Sequence, residues 1–164
     1  MPLGKRLRDA AICGLAVLSR RITPPDACLR MIYSPDRRES DYFETIIPYD
    51  GDLKIHIHTG SFFEWEIFFK GYYEPYVVHL LKRFIPTGGT CLDVGANIGS
   101  DTLIMAKLAG PAGRVYAFEP NPDYFSKLKR NLDLNGFNNV TTLMKAIDLS
   151  EGKADLFVTT GSVK

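Results

Sequence analysis

Leu3, Leu7, Ala11, Leu15, Leu18 and Ile22 recur every three or four positions, the spacing of a single helical stripe. The pattern predicts a lead-in helix that packs this stripe on the rest of the protein, with a membrane-surface helix as the second reading. "TPPD", Thr23 to Asp26, ends it, because two prolines cannot continue a helix. From about Ala27 to Ser40 no period stands out, and "SPDRRES" reads as an exposed loop. The period then changes to two. Leu53, Ile55 and Ile57 alternate with Lys54, His56 and His58 after Asp50–Gly51, so "YFETIIPYDGDLKIHIHTG" reads as a β-hairpin with both histidines on a solvated face. Phe62 to Tyr76 holds eight aromatics in fifteen residues, which suits a packed core edge. Glu74 and Pro75 suit a helix start. That helix buries Val77, Leu81 and Phe84 before "PTGG" breaks it.

From Thr90 the chain alternates strand, helix, strand, helix, strand. "TCLDVG" is apolar on both faces, as expected of a central parallel strand. A helix from about Ile98 to Ala109 stops at Gly110–Pro111. "RVYAFE" is the second strand. In "NPDYFSKLKRNLDLNG", Asn121 caps a helix, Pro122 opens it, Gly136 closes it, and Phe125, Leu128 and Leu132 face inward. "NVTTLMKAI" is the third strand. The order implies an α/β fold in which right-handed βαβ crossovers build a parallel sheet. "ADLFV", Ala154 to Val158, follows a connection too short for a crossover helix, so an antiparallel edge hairpin is expected there.

Composition narrows the class. The 164 residues suit one core, and 45% hydrophobic with 24% charged residues is the balance of a globular protein. A net charge of +1 gives no basic field, and no nucleic-acid partner is expected. Cys13, Cys28 and Cys91 show no CxxC spacing and form an odd set, which points to reduced thiols and a cytoplasmic location rather than disulfides or zinc. No metal site is expected, since His56 and His58 lack a third ligand nearby. The apolar run Ala10–Leu18 is too short to span a bilayer.

The candidate chemistry lies in "CLDVGANIGSDT", Cys91 to Thr102. In sheets of this kind a ligand binds beyond the carboxyl ends of the strands, where the first turn meets its helix. Gly95 and Gly99 would let a ligand approach the backbone, with Asn97 between them. The second strand ends at Glu119, 24 residues past Gly95, where a carboxylate suits paired ribose hydroxyls. A dinucleotide fingerprint would need glycine at 97 and 100, but Asn97 and Ser100 stand there. Asp93 would repel phosphates and suits a cationic group. A ligand with an ammonium, a sulfonium and a ribose fits both acids, and S-adenosylmethionine has all three.

"LDVGANIGSDT", "VYAFEPNPDYFSKLKRNLDLNG" and "KAIDLSEG" together resemble the FkbM family of class I S-adenosylmethionine-dependent methyltransferases, over about residues 45 to 158. The resemblance implies a Rossmann-like class I methyltransferase fold, here its first βαβαβ half. Residues 1–40 would form an N-terminal extension, and 41–164 a partial cofactor domain. It implies that Asp93, Gly95, Asn97 and Gly99 line the methionine side of the cofactor, that Glu119 holds the ribose, and that Asp148 contacts the adenine. The implied acceptor is a hydroxyl on a sugar, polyketide or related metabolite, a small molecule or glycan. A nicotinamide-dependent oxidoreductase and a non-catalytic nucleoside-binding domain are the alternatives. No catalytic base emerges: His79 sits among charged neighbours, and His56 and His58 have no argued geometry. The 164-residue chain, lacking the strands the resemblance places beyond the first, is expected to be inactive alone.

Overall fold

The structure, a computed structural model, describes residues 3–22, 24–34, 41–153 and 155–157. The chain forms two compact units, Met1–Tyr49 with His56–Tyr73, and Asp50–Ile55 with Glu74–Lys164.

The first unit holds α1 (Leu3–Ile22), α2 (Asp26–Ile32), β1 (Glu44–Tyr49), the second half of β2 (Leu53–His58), from His56 on, and α3 (Phe62–Lys70). The hairpin is as the period-two pattern predicts: β1 and β2 form a two-stranded sheet. Asp50 and Gly51 both take positive φ, 38° and 85°, the conformation of the tight hairpin turns. Ile55 and Ile57 are buried. His56 departs from the expectation of a solvated face: it is buried, with Nε2 3.2 Å from Glu44. His58 is half-buried. The aromatic run forms α3, whose Trp65, Phe68 and Phe69 are fully buried. Trp65 Nε1 donates to the carbonyl of Tyr33 at 2.7 Å, which satisfies the one polar group of the indole.

The lead-in helix forms, but it packs the other way round. Asp9, Ile12, Ala16 and Ser19 are buried, and the stripe from Leu3 to Ile22 is exposed. The cause is the end of α3, whose last carbonyls have no partner within their own helix. Ser19 Oγ donates to Phe69 O at 2.7 Å. Arg20 donates to Phe68 O through Nε at 2.9 Å and Nη2 at 2.7 Å. Turning Leu15 and Leu18 inward would withdraw both caps.

The second unit holds α4 (Pro75–Phe84), β3 (Thr90–Val94), α5 (Ser100–Ala109), β4 (Arg114–Phe118), α6 (Pro122–Asn135) and β5 (Val140–Leu143). The strands form a parallel sheet in the order β3-β4-β5, with Asp93 opposite Ala117 and Phe118 opposite Leu143. This is the Rossmann-like arrangement read from the sequence. Right-handed crossovers in one direction set α5 and α6 on the same face. Val115 and Ala117 are therefore buried, whereas Leu92 and Val94 on the other face are 65% and 62% exposed. Among the described residues β3 is thus an edge strand, as expected of this first half of the fold taken alone.

In α4 it is Val78 that is buried, Val77 and Leu81 are half-buried, and Phe84 is exposed. The register of that helix is one position from the predicted stripe. β5 ends at Leu143, short of the predicted Ile147. Asp155 to Phe157 form no strand, and Ala154 and Val158 lie outside the described residues. No described helix is long and apolar enough to cross a membrane.

Candidate cofactor site

The site is built on the turn between β3 and α5. Three of its five residues take left-handed backbone: Gly95 at φ 84°, Asn97 at 51° and Gly99 at 88°. Asparagine tolerates that region better than most side chains. The two glycines serve different ends. A side chain at Gly95 would meet nothing within 4 Å, whereas one at Gly99 would strike Leu128 Cδ1 at 2.6 Å. Gly95 therefore opens onto free space, and Gly99 lets α6 pack against the turn.

The backbone donors of the turn are already engaged. Gly95 and Ala96 N–H both donate to Phe118 O at 2.9 Å, and Gly99 N–H donates to Ala96 O at 2.8 Å. Asn97 N–H donates to Glu119 Oε2 at 2.8 Å. Asn121 N–H donates to the other oxygen, Oε1, at 2.8 Å. Glu119 thus clasps the ends of β3 and β4 together. Asn121 in turn caps α6, its Oδ1 accepting from Asp123 N–H at 2.8 Å and Tyr124 N–H at 3.4 Å. Four of the turn's five N–H groups are therefore spent within the protein.

Acceptors dominate what is left. Asp93 is buried, with Oδ2 accepting from Thr102 Oγ1. Burial pushes its carboxyl up, Thr102 pulls it back, and Glu119 pushes further. Asp101, in the first turn of α5, is pushed up to about 6 by burial, then by Asp93 and Glu74. Asn97 Oδ1 is buried without a hydrogen-bond partner among the described residues. A buried oxygen in that state is costly unless a ligand or water donates to it. Buried carboxylates held above their ordinary range suit a ligand that brings positive charge and hydroxyl donors.

Of the residues singled out in the sequence, the structure brings together Asp93, Gly95, Asn97, Gly99 and Glu119. Asp148 stands apart. It is exposed in an irregular segment after β5, and its Oδ1 accepts from Leu149 N–H at 2.6 Å. Sequence reasoning missed Thr102, Asp101 and Asn131. Asn131 is fully buried, and its Nδ2 donates to Ile98 O at 2.8 Å, fixing the turn from α6. Its signature was an amide beside the inward positions Leu128 and Leu132.

This geometry coincides with a known family boundary. Residues 93–161 match the Methyltransferase FkbM domain. The match begins at the buried Asp93 and bears out the resemblance drawn from "DVGANIG" and "FEPNP". The chain is also 39% identical over 64 residues to protein-L-isoaspartate O-methyltransferase of Methanococcoides burtonii, 39% of this chain and 30% of that protein. It is 40% identical over 65 residues to arginine N(omega)-methyltransferase of Streptomyces achromogenes, 39% of this chain and 17% of that protein. The chain therefore spans less than a third of either relative. Among solved structures, M. jannaschii TYW2 in complex with AdoMet superposes with a TM-score of 0.50 and 25% identity, over 62% of this chain and 42% of that one.

Proposed function

We propose that the second unit binds S-adenosylmethionine and that the protein serves methyl transfer. The observation that carries this reading is the imbalance of the site. Four backbone donors of the turn are used internally, while the Asp93 and Glu119 carboxylates and the unpartnered Asn97 Oδ1 make its side chains a set of acceptors, and Gly95 leaves open space beside its Cα. Such a site favours an ammonium, a sulfonium and ribose hydroxyls over a pyrophosphate.

In this reading Glu119 accepts from the ribose hydroxyls with the lone pairs its two backbone donors leave. Asp93 and Asn97 face the amino-acid end, and Gly95 gives the close approach. Asp148 would join at the adenine only if its irregular segment folded toward the turn. Bound S-adenosylmethionine supplies an electrophilic methyl group on a good leaving group. The protein's part is to position the acceptor oxygen in line and to exclude water.

The family resemblance supports a hydroxyl acceptor on a sugar, polyketide or related metabolite. The names of the two relatives point to protein carboxylate and arginine nitrogen instead, so a peptide acceptor belongs in the same assay panel. A cytoplasmic location fits the three free thiols.

The test is calorimetry with S-adenosylhomocysteine and with NAD. Binding of the first and not the second is expected, weakened about ten- to a hundredfold in Kd by Glu119→Gln. Binding of NAD alone, or an unchanged Kd in the variant, would overturn the assignment.

A further inference from the structure

The outward face of α1 is more apolar than its inward face. At 100° per residue, Leu3, Leu7, Leu15, Val17, Leu18 and Ile22 fall within an outward arc of roughly 160°. All six are exposed, Leu3 at 73%, Leu7 at 64% and Ile22 at 62%. Gly4, Ala10, Ala11, Gly14 and Arg21 share the arc. The inward face carries Asp9, Ile12, Ala16 and Ser19. An apolar surface of this extent on a helix calls for a cover.

Charge chooses the cover. The one acid of α1, Asp9, is turned inward and paired with Arg8 at 3.0 Å. Arg20 is engaged on the carbonyls of Phe68 and Pro48. Arg6 and Arg21 are exposed near the two ends of the helix, Arg6 beside one edge of the apolar arc and Arg21 within it, and no acid of α1 lies on that face among the described residues. A second copy laid antiparallel would set Arg6 against the other copy's Arg21, and a parallel copy would set each arginine against itself. Both arrangements oppose like charges along the helix pair, and the one acid of α1 is turned inward. An anionic surface meets both arginines and the apolar arc at once.

We infer that α1 is an interfacial anchor that lies on an anionic phospholipid surface, its Leu3–Ile22 stripe in the acyl boundary and Arg6 and Arg21 at the headgroups. The helix lies on the bilayer and does not cross it, since basic residues stand at both ends and Asp9 is held inside the protein. This is independent of the cofactor assignment, because every residue it uses lies in the first unit.

The experiment is flotation of the 164-residue chain with phosphatidylcholine vesicles, with and without phosphatidylglycerol. Binding is expected only with the anionic lipid. It should weaken between 0.1 M and 1 M salt, as the screening length shrinks from about 10 Å to about 3 Å. Arg6→Gln and Arg21→Gln should each reduce partitioning on the order of fivefold. Leu7→Ser with Leu18→Ser should abolish it while leaving the circular dichroism spectrum and melting temperature unchanged. Absence of binding to the anionic vesicles would overturn the inference. So would a concentration-dependent dimer that the serine pair dissolves, which would make the cover a second copy. Loss of folding in the serine pair would overturn it too, because the stripe would then be buried in solution.

Discussion

The backbone N–H of Asn97 donates to Oε2 of Glu119 at 2.8 Å, so the carboxylate that ends β4 also holds the turn that follows β3. With Asn121 N–H on its other oxygen, Glu119 is a structural clasp as well as a candidate ligand.

Glu119→Ala therefore lowers stability as well as affinity. Two backbone donors, one of them buried, lose a charged acceptor, and about 2–4 kcal/mol of unfolding free energy goes with it. Glu119→Gln keeps one carbonyl oxygen and loses roughly half as much. Urea unfolding of the two variants beside the wild type measures the difference. Equal midpoints for all three would mean the clasp contributes nothing.

The two glycines of the turn separate strain from collision. Gly95→Ala meets only the left-handed backbone penalty, about 1–2 kcal/mol. Gly99→Ala meets the same penalty and Leu128 besides, and should cost clearly more. In a Leu128→Ala background the Gly99→Ala cost should fall to that of Gly95→Ala, a coupling a double-mutant cycle reads directly. Additive costs would show that Leu128 yields without strain.

Asp101 makes stability depend on pH. Its carboxyl is raised from the ordinary 3.8 to about 6 in the folded state. Between about pH 4 and pH 6 the folded protein holds a proton that the unfolded chain has released, so stability falls as pH rises through that window and stays lowered above it. Asp101→Asn removes the penalty. Allowing for the partial exposure of the group, it should stabilise the protein by about 1–2 kcal/mol at pH 7 and by nothing below pH 4. Thermal melts of both proteins across pH 3.5–7.5, on the order of half-unit steps, trace the difference. A constant offset at every pH would remove Asp101 as its source.

Asn131→Leu should loosen the turn from the α6 side. The carbonyl of Ile98 loses its donor, at a cost of about 1–3 kcal/mol. Hydrogen exchange at the amides of Asn97 and Gly99 should quicken more than at those of α5 far from the turn. Uniform quickening would instead mean a global loss of stability.

The sequence by itself determined what depends on neighbours along the chain. Asn121, Pro122 and Gly136 bound α6 where the capping pattern puts them, Asp50–Gly51 makes the hairpin turn, and the alternation from Thr90 yields the parallel sheet. The turn residues Asp93, Gly95, Asn97 and Gly99 and the acid Glu119 were legible because spacing after a strand fixes which backbone they share. Tertiary structure decided which face of each element is covered. A periodic stripe says that a helix is amphipathic, not which side finds a partner. In α1 the carbonyls of Phe68 and Phe69 drew Ser19 and Arg20 inward and left the leucines outside. His56 is buried and paired with Glu44 on the neighbouring strand, Gly99 is explained by Leu128 on another helix, and the raised carboxyl of Asp101 comes from burial beside Asp93 and Glu74. Each depends on residues brought close only by folding, and local periodicity carries no record of them.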